Sequence, residues 1–108
     1  MNLLFVCTEN RLRSATAEAV FNDYNGIEAI GAGTNSDAVT VVSGDLIEWA
    51  DIVFVMEAVH RNKVSKKFRP LLKNKRVIIL GIPDEYDYMD PSLVALLKSR
   101  VVRHVPRL

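Results

Sequence analysis

The stretch Asn2-Leu3-Leu4-Phe5-Val6-Cys7, running on through Thr8-Glu9-Asn10-Arg11-Leu12-Arg13-Ser14, decides how this chain is read. Residues 2–6 predict a strand, apolar without a break from Leu3 to Val6, as expected of one buried on both faces of a parallel sheet. From Ser14 to Tyr24, the apolar positions Ala17, Val20, Phe21 and Tyr24 fall at i, i+3, i+4 and i+7 and predict a helix, with Asn25-Gly26 as its stop. Strand, seven-residue connection (7–13) and helix follow one another directly.

Outward from this unit the same alternation recurs. Residues 27–30 read as a second strand, closed by a turn at Gly31-Ala32-Gly33-Thr34. A helix is expected over about 41–50, capped by Thr40, with Val42, Leu46, Trp49 and Ala50 on one face. Asp51 introduces a third strand, Ile52 to Met56, and a helix over about 57–68 should end before Pro70. Residues 76–80 form the fourth strand, and Asp90 with Pro91 fit the cap and first position of a last helix that buries Leu93, Leu96 and Leu97. The fold class is therefore α/β: a four-stranded parallel sheet with helices on both faces, formed by residues 1–108 as one domain. In such sheets ligands bind beyond the carboxyl ends of the strands, where Cys7, Gly31–Thr34, Met56-Glu57 and the segment after Leu80 all lie.

Composition narrows the function. The chain has 108 residues, 49% of them hydrophobic and 25% charged, with a formal charge of +1, which gives no electrostatic case for nucleic acid. Arg61 to Arg76 is basic without an acidic residue, and reads as a solvated helix and turn ahead of the alternative, a docking patch. No apolar segment is long enough for a membrane span, and the N-terminal run is too short for a signal sequence. Cys7 is the single cysteine, so no internal disulfide forms and a cytoplasmic setting is expected. His60 and His104 lack ligand-type spacing, so no metal and no cofactor are expected. No nucleic-acid and no membrane partner is expected, the chain itself being a monomer or weak homodimer.

A strand-to-helix turn presents successive backbone N–H groups and the positive end of a helix dipole, which together bind phosphate and favour a thiolate. Arg13 adds a planar fork suited to two phosphate oxygens. Ser14 can hydrogen-bond the sulfur, and Asn10 tolerates the left-handed backbone such a loop needs. A Cys and an Arg at this spacing are common by chance; the strand before, the helix after, Asn10 and Ser14 give the pair its specificity. Gly31-Ala32-Gly33 lacks the third glycine and the position of a dinucleotide-binding loop.

Cys7, Asn10, Arg13 and Ser14 together resemble the signature C-x-x-N-x-x-R-S of the low-molecular-weight protein tyrosine phosphatase family. The resemblance extends to Ala17-Glu18, Ala32-Gly33-Thr34, Asp51–Met56 and Ile82-Pro83-Asp84-Glu85-Tyr86. It implies phosphomonoester hydrolysis, of phosphotyrosine in the family, through a thiophosphate on Cys7, with a phosphorylated protein or small phosphoester substrate as the expected partner. Thr8, Glu9, Asn10, Arg11, Leu12 and Ser14 would form the phosphate loop and Tyr86 an aromatic wall. Expelling the leaving oxygen needs a proton donor. Among Asp84, Glu85, Asp87 and Asp90, the resemblance selects Asp84, with Asp87 second and Asp90 read as a helix cap.

Departures from the pattern bear on substrate. Glu9 stands where the family has glycine, and is expected to point outward or pair with Arg11. Leu12 replaces a second loop cysteine. Arg11 replaces the small Thr of phosphoarginine phosphatases and should repel a guanidinium. Glu85 replaces a proline, and the chain is shorter than the family between Thr34 and Asp51, which implies a shallower pocket. Two alternatives stay open: a phosphate- or phosphoprotein-binding module with little turnover, and an arsenate reductase-like enzyme, disfavoured because its resolving thiols are missing.

Overall fold

A computed structural model describes residues 1–106 and 108. Four strands, β1 (Asn2–Cys7), β2 (Glu28–Gly33), β3 (Ile52–Val55) and β4 (Arg76–Ile79), alternate with helices α1 (Arg13–Phe21), α2 (Gly44–Trp49), α3 (Ala58–Leu72) and α4 (Pro91–Val101). All pairings are parallel, in the order β2-β1-β3-β4. The chain moves from β1 to a neighbour on one side, then crosses to the other, so the carboxyl end of β1 is the switch point of the sheet.

Alternation along β1 divides the core. Leu3, Phe5 and Cys7 face one layer with Phe21 of α1 and Leu93, Leu97 and Val101 of α4. Leu4 and Val6 face the other, with Ile47 of α2 and Val64 of α3. Phe5 stacks between Phe21 and Phe54, at centroid distances of 5.3 and 5.2 Å. Removing a ring packed in this way costs about 3–5 kcal/mol. Register then fixes the site: Cys7 lies opposite Gly33, and Val6 opposite Val55, so three strands end level with one another.

Several boundaries differ from the sequence-based expectation, each for a local reason. The first helix stops at Phe21 because the Asn22 amide turns to β2, accepting from Ala29 N–H at 2.8 Å and donating to Ala29 O at 2.9 Å. The second strand continues through Gly31 to Gly33 instead of turning there. Residues 40–42 extend across from Gly33 (Gly33 N to Thr40 O 2.8 Å, Val42 N to Gly33 O 3.0 Å), so Ser43, not Thr40, caps α2, its Oγ accepting from Leu46 N–H. The third helix runs past Pro70 to Leu72 because the backbone breaks helical geometry at Phe68 (φ −123°, ψ 25°) and restarts, leaving the proline near the start of a new turn. The last helix starts as expected: Asp90 Oδ1 accepts from Ser92 N–H at 2.8 Å and Pro91 is its first residue.

Candidate active site

Cys7, the last residue of β1, is 3% exposed. The chain turns away from it through Asn10, whose φ of 58° places it in the left-handed region that asparagine tolerates. That turn aims the Asn10 N–H at Cys7 Sγ, 3.3 Å away. Asn10 Nδ2 donates to Ser14 Oγ at 2.7 Å, and this hydroxyl lies 2.9 Å from Sγ. Since the Ser14 oxygen accepts from Asn10, its own proton is free for the sulfur. Sγ thus sits between two donors, both set by the loop and the first turn of α1. Among the described residues, the backbone N–H groups of Thr8, Glu9, Arg11 and Leu12 bond to no other protein group, and these four residues line the pocket beside Cys7.

Two glycines of β2 make room for this loop. A Cβ on Gly31 would stand 2.5 Å from Ser14 O and 2.6 Å from Asn10 Nδ2, and one on Gly33 would stand 2.5 Å from Thr8 O. Glu18 ties α1 to the same strand, its Oε1 accepting from Gly31 N–H at 2.8 Å.

Arg13 opens α1 and is also 3% exposed. Its Nη1 donates to Glu57 Oε1 and to Ile82 O at 2.9 Å, tying the guanidinium to the segments that follow β3 and β4. Among the described residues, the Nε/Nη2 edge makes no hydrogen bond and is left as a fork. Beside it stands Asp84, with Oδ1 3.8 Å from Nε and the side chain 64% exposed. A pocket of about 280 Å³ is lined by Cys7, Thr8, Glu9, Arg11, Leu12, Arg13 and Asp84. Asn10 and Ser14 lie behind it, supporting the sulfur.

Other expected site residues fall differently. Glu9 and Arg11 pair on the exposed rim at 3.5 Å, so the carboxylate is directed at a cation. Tyr86 is half-buried against the core with Leu80 and Ile82, and does not line the pocket. Asp87 is exposed and does not line it either. Asp90 is spent on capping α4.

Two residues carry more of the site than their sequence context revealed. Glu57 holds Arg13, and its N–H donates to His60 Nδ1 at 3.0 Å. That bond assigns the ring proton to Nε2, which donates to Thr8 Oγ1 at 2.9 Å and leaves the Thr8 hydroxyl proton free. Burial, followed by the charge of Arg13, lowers the pKa of His60 to about 4, so the ring is neutral near pH 7. The available signal was position alone: Met56-Glu57 stands at the carboxyl edge of the sheet, and His60 one turn beyond.

This fold is that of the low-molecular-weight protein tyrosine phosphatases. The sequence itself matches no family profile and no curated protein. A low-molecular-weight phosphotyrosine phosphatase from Vibrio cholerae O395 superposes with a TM-score of 0.78 at 19% identity, covering 98% of this chain and 95% of that one. The tyrosine phosphatase Wzb from Escherichia coli K30, in complex with phosphate, gives 0.72 at 21% identity over 99% of this chain and 97% of its own. The YwlE arginine phosphatase from Geobacillus stearothermophilus gives 0.69 at 19% identity, over 95% of this chain and 96% of its own. At these identities the likeness establishes the fold. Among the described residues, no helix is long and apolar enough to cross a membrane.

Proposed function

We propose that the chain is a cysteine-dependent phosphomonoester hydrolase with a phosphotyrosyl protein as its substrate class. The observation that carries this reading is the convergence on one pocket of a sulfur held by two donors, an arginine fork with a free edge, and a carboxylate beside it. In the first step Cys7 Sγ attacks phosphorus. The loop N–H groups and Arg13 Nε/Nη2 hold the equatorial oxygens where charge develops, and Asp84 gives its proton to the leaving oxygen as the P–O bond breaks. In the second, Asp84 takes a proton from water attacking phosphorus, and the S–P bond breaks with the Ser14 hydroxyl supporting the departing thiolate. A YwlE variant of the same fold carries phosphate on an active-site serine, in keeping with a covalent intermediate at this position.

Arg11 at the rim sets phosphotyrosine above phosphoarginine as the substrate, since a guanidinium leaving group would meet a like charge. The same reading takes the chain as a monomer or weak homodimer in a reducing, cytoplasmic setting, because no second thiol in the chain shields Cys7 from oxidation.

The test is hydrolysis of p-nitrophenyl phosphate, inhibited by vanadate. Cys7→Ser should abolish turnover, and Asp84→Asn should lower kcat by about 10²–10⁴-fold. Phosphate binding without turnover between about pH 5 and 8 would leave a binding module in place of the enzyme. An undiminished rate in Asp84→Asn would move the acid role to another carboxylate.

A further inference from the structure

A second concavity, of about 490 Å³, lies between α3 and the segment Thr34–Val42. Its apolar lining is Val41, Val42, Val64 and Phe68, and its rim on α3 is Lys63, Lys66 and Lys67. The Lys67 ammonium lies 5.6 Å from the Phe68 ring centroid. Nothing acidic offsets these cations on α3, since Arg61 to Arg76 contains no Asp or Glu. On the facing elements, Asp37 and Asp45 are exposed and neither lines the groove.

The groove adjoins the Cys7 pocket. Thr8 lines the pocket and Thr34 the groove, and Asn35 N–H donates to Thr8 O at 3.0 Å. On α3, His60 touches Thr8, and Val64 enters the groove one helical turn later. A polypeptide leaving the pocket over this margin meets lysines above an apolar floor, with Val41 partly exposed on the side facing α3. Extended peptide with carboxylates interspersed among apolar side chains fits both parts. A nucleic acid would find cations but only one aromatic ring.

We propose that this groove is a docking site for an acidic, partly apolar stretch of the phosphoprotein substrate, flanking the phosphorylated residue. The inference rests on the hydrolase reading, and binding and turnover test the two separately.

The binding arm uses fluorescence anisotropy with an unphosphorylated acidic-apolar peptide and its Glu→Gln counterpart. The acidic peptide should bind about tenfold more tightly, and the double variant Lys66→Glu/Lys67→Glu should remove the difference. Both lysines are exposed, and Lys63 is left in place because its charge reaches His60. In the turnover arm, phosphotyrosyl versions of the peptides should differ about fivefold to tenfold in KM with similar kcat, while p-nitrophenyl phosphate hydrolysis is unchanged in the double variant. Equal binding of the two peptides, or a double variant that still discriminates, overturns the groove whatever the turnover. Discriminating binding without hydrolysis of any substrate supports the groove and retires the hydrolase. Displacement of the acidic peptide by an equimolar single-stranded oligonucleotide makes the occupant nucleic acid and overturns the assignment.

Discussion

His60 reaches the Cys7 loop through a bond from Nε2 to the Thr8 hydroxyl at 2.9 Å, while its Nδ1 accepts from Glu57 N–H at 3.0 Å only as long as the ring is neutral. A second proton would fall on Nδ1, where the Glu57 N–H already points. The neutral tautomer and the start of α3 are therefore one arrangement, and acid breaks the bond between Glu57 N–H and the ring.

The first prediction follows from that coupling. The folded chain holds His60 at a pKa of about 4 against 6.5 in its absence, so the unfolded state takes up the proton first as pH falls. Stability from the neutral ring is complete above 6.5 and is lost as pH falls toward 4. Urea unfolding at about pH 7 and 4.5 should show the native sequence losing roughly 2–3 kcal/mol more than His60→Gln. Equal losses in the two proteins would remove His60 from the account.

Glu57 and Arg13 supply the second. Arg13 is buried and its Nη1 is engaged by Glu57 and Ile82 O, so Glu57→Ala takes away a charged partner and frees the guanidinium to turn. We expect kcat/KM to fall about tenfold or more, and Glu57→Gln, which still accepts a hydrogen bond, to lose less. Steady-state kinetics with an aryl phosphate decide this. The idea fails if Ala and Gln behave alike.

The bond from Ser14 to sulfur bears on the second chemical step. A hydrogen bond to a charged group is worth about 1.5–3 kcal/mol, so Ser14→Ala should slow breakdown of the thiophosphate by about 10–100-fold. Rapid-quench kinetics should then show a burst of phenol followed by a slow steady rate. A linear time course at the reduced rate would place the effect on the first step.

Gly31→Ala tests the strand under the loop. The added methyl would meet Ser14 O and the Asn10 amide at 2.5 and 2.6 Å, contacts that backbone must move to relieve. A destabilisation of about 1–3 kcal/mol is expected, together with loss of phosphate affinity. Thermal unfolding with and without phosphate measures both. An unchanged phosphate-induced shift would mean that the loop accommodates the methyl.

The order of elements and the sulfur site were legible because each depends on residues close together in sequence. Cys7, Asn10, Arg13 and Ser14 lie within one turn, and the donors around Sγ all come from that turn. Glu57 was not legible as Arg13's partner, since 44 residues separate them and only the parallel ladder sets their ends level. His60 looked like an ordinary helix residue because nothing nearby in sequence announces Thr8. Helical geometry failing at Phe68 let α3 continue where Pro70 alone argued for a stop. Gly31 and Gly33 resembled a turn because glycine's commonest use is conformational. Here its use is emptiness: the strand stays regular and the missing side chains are filled by the neighbouring loop.

That emptiness makes β2 a mould for the loop. The space for the Thr8 carbonyl, the Asn10 amide and the Ser14 backbone is cut by a strand that contributes no reacting group. Two positions with no side chain at all are therefore less replaceable than several of the charged residues on the pocket rim. Variation in this protein should be freer at exposed Glu9 than at a pair of glycines that contribute no group to the pocket.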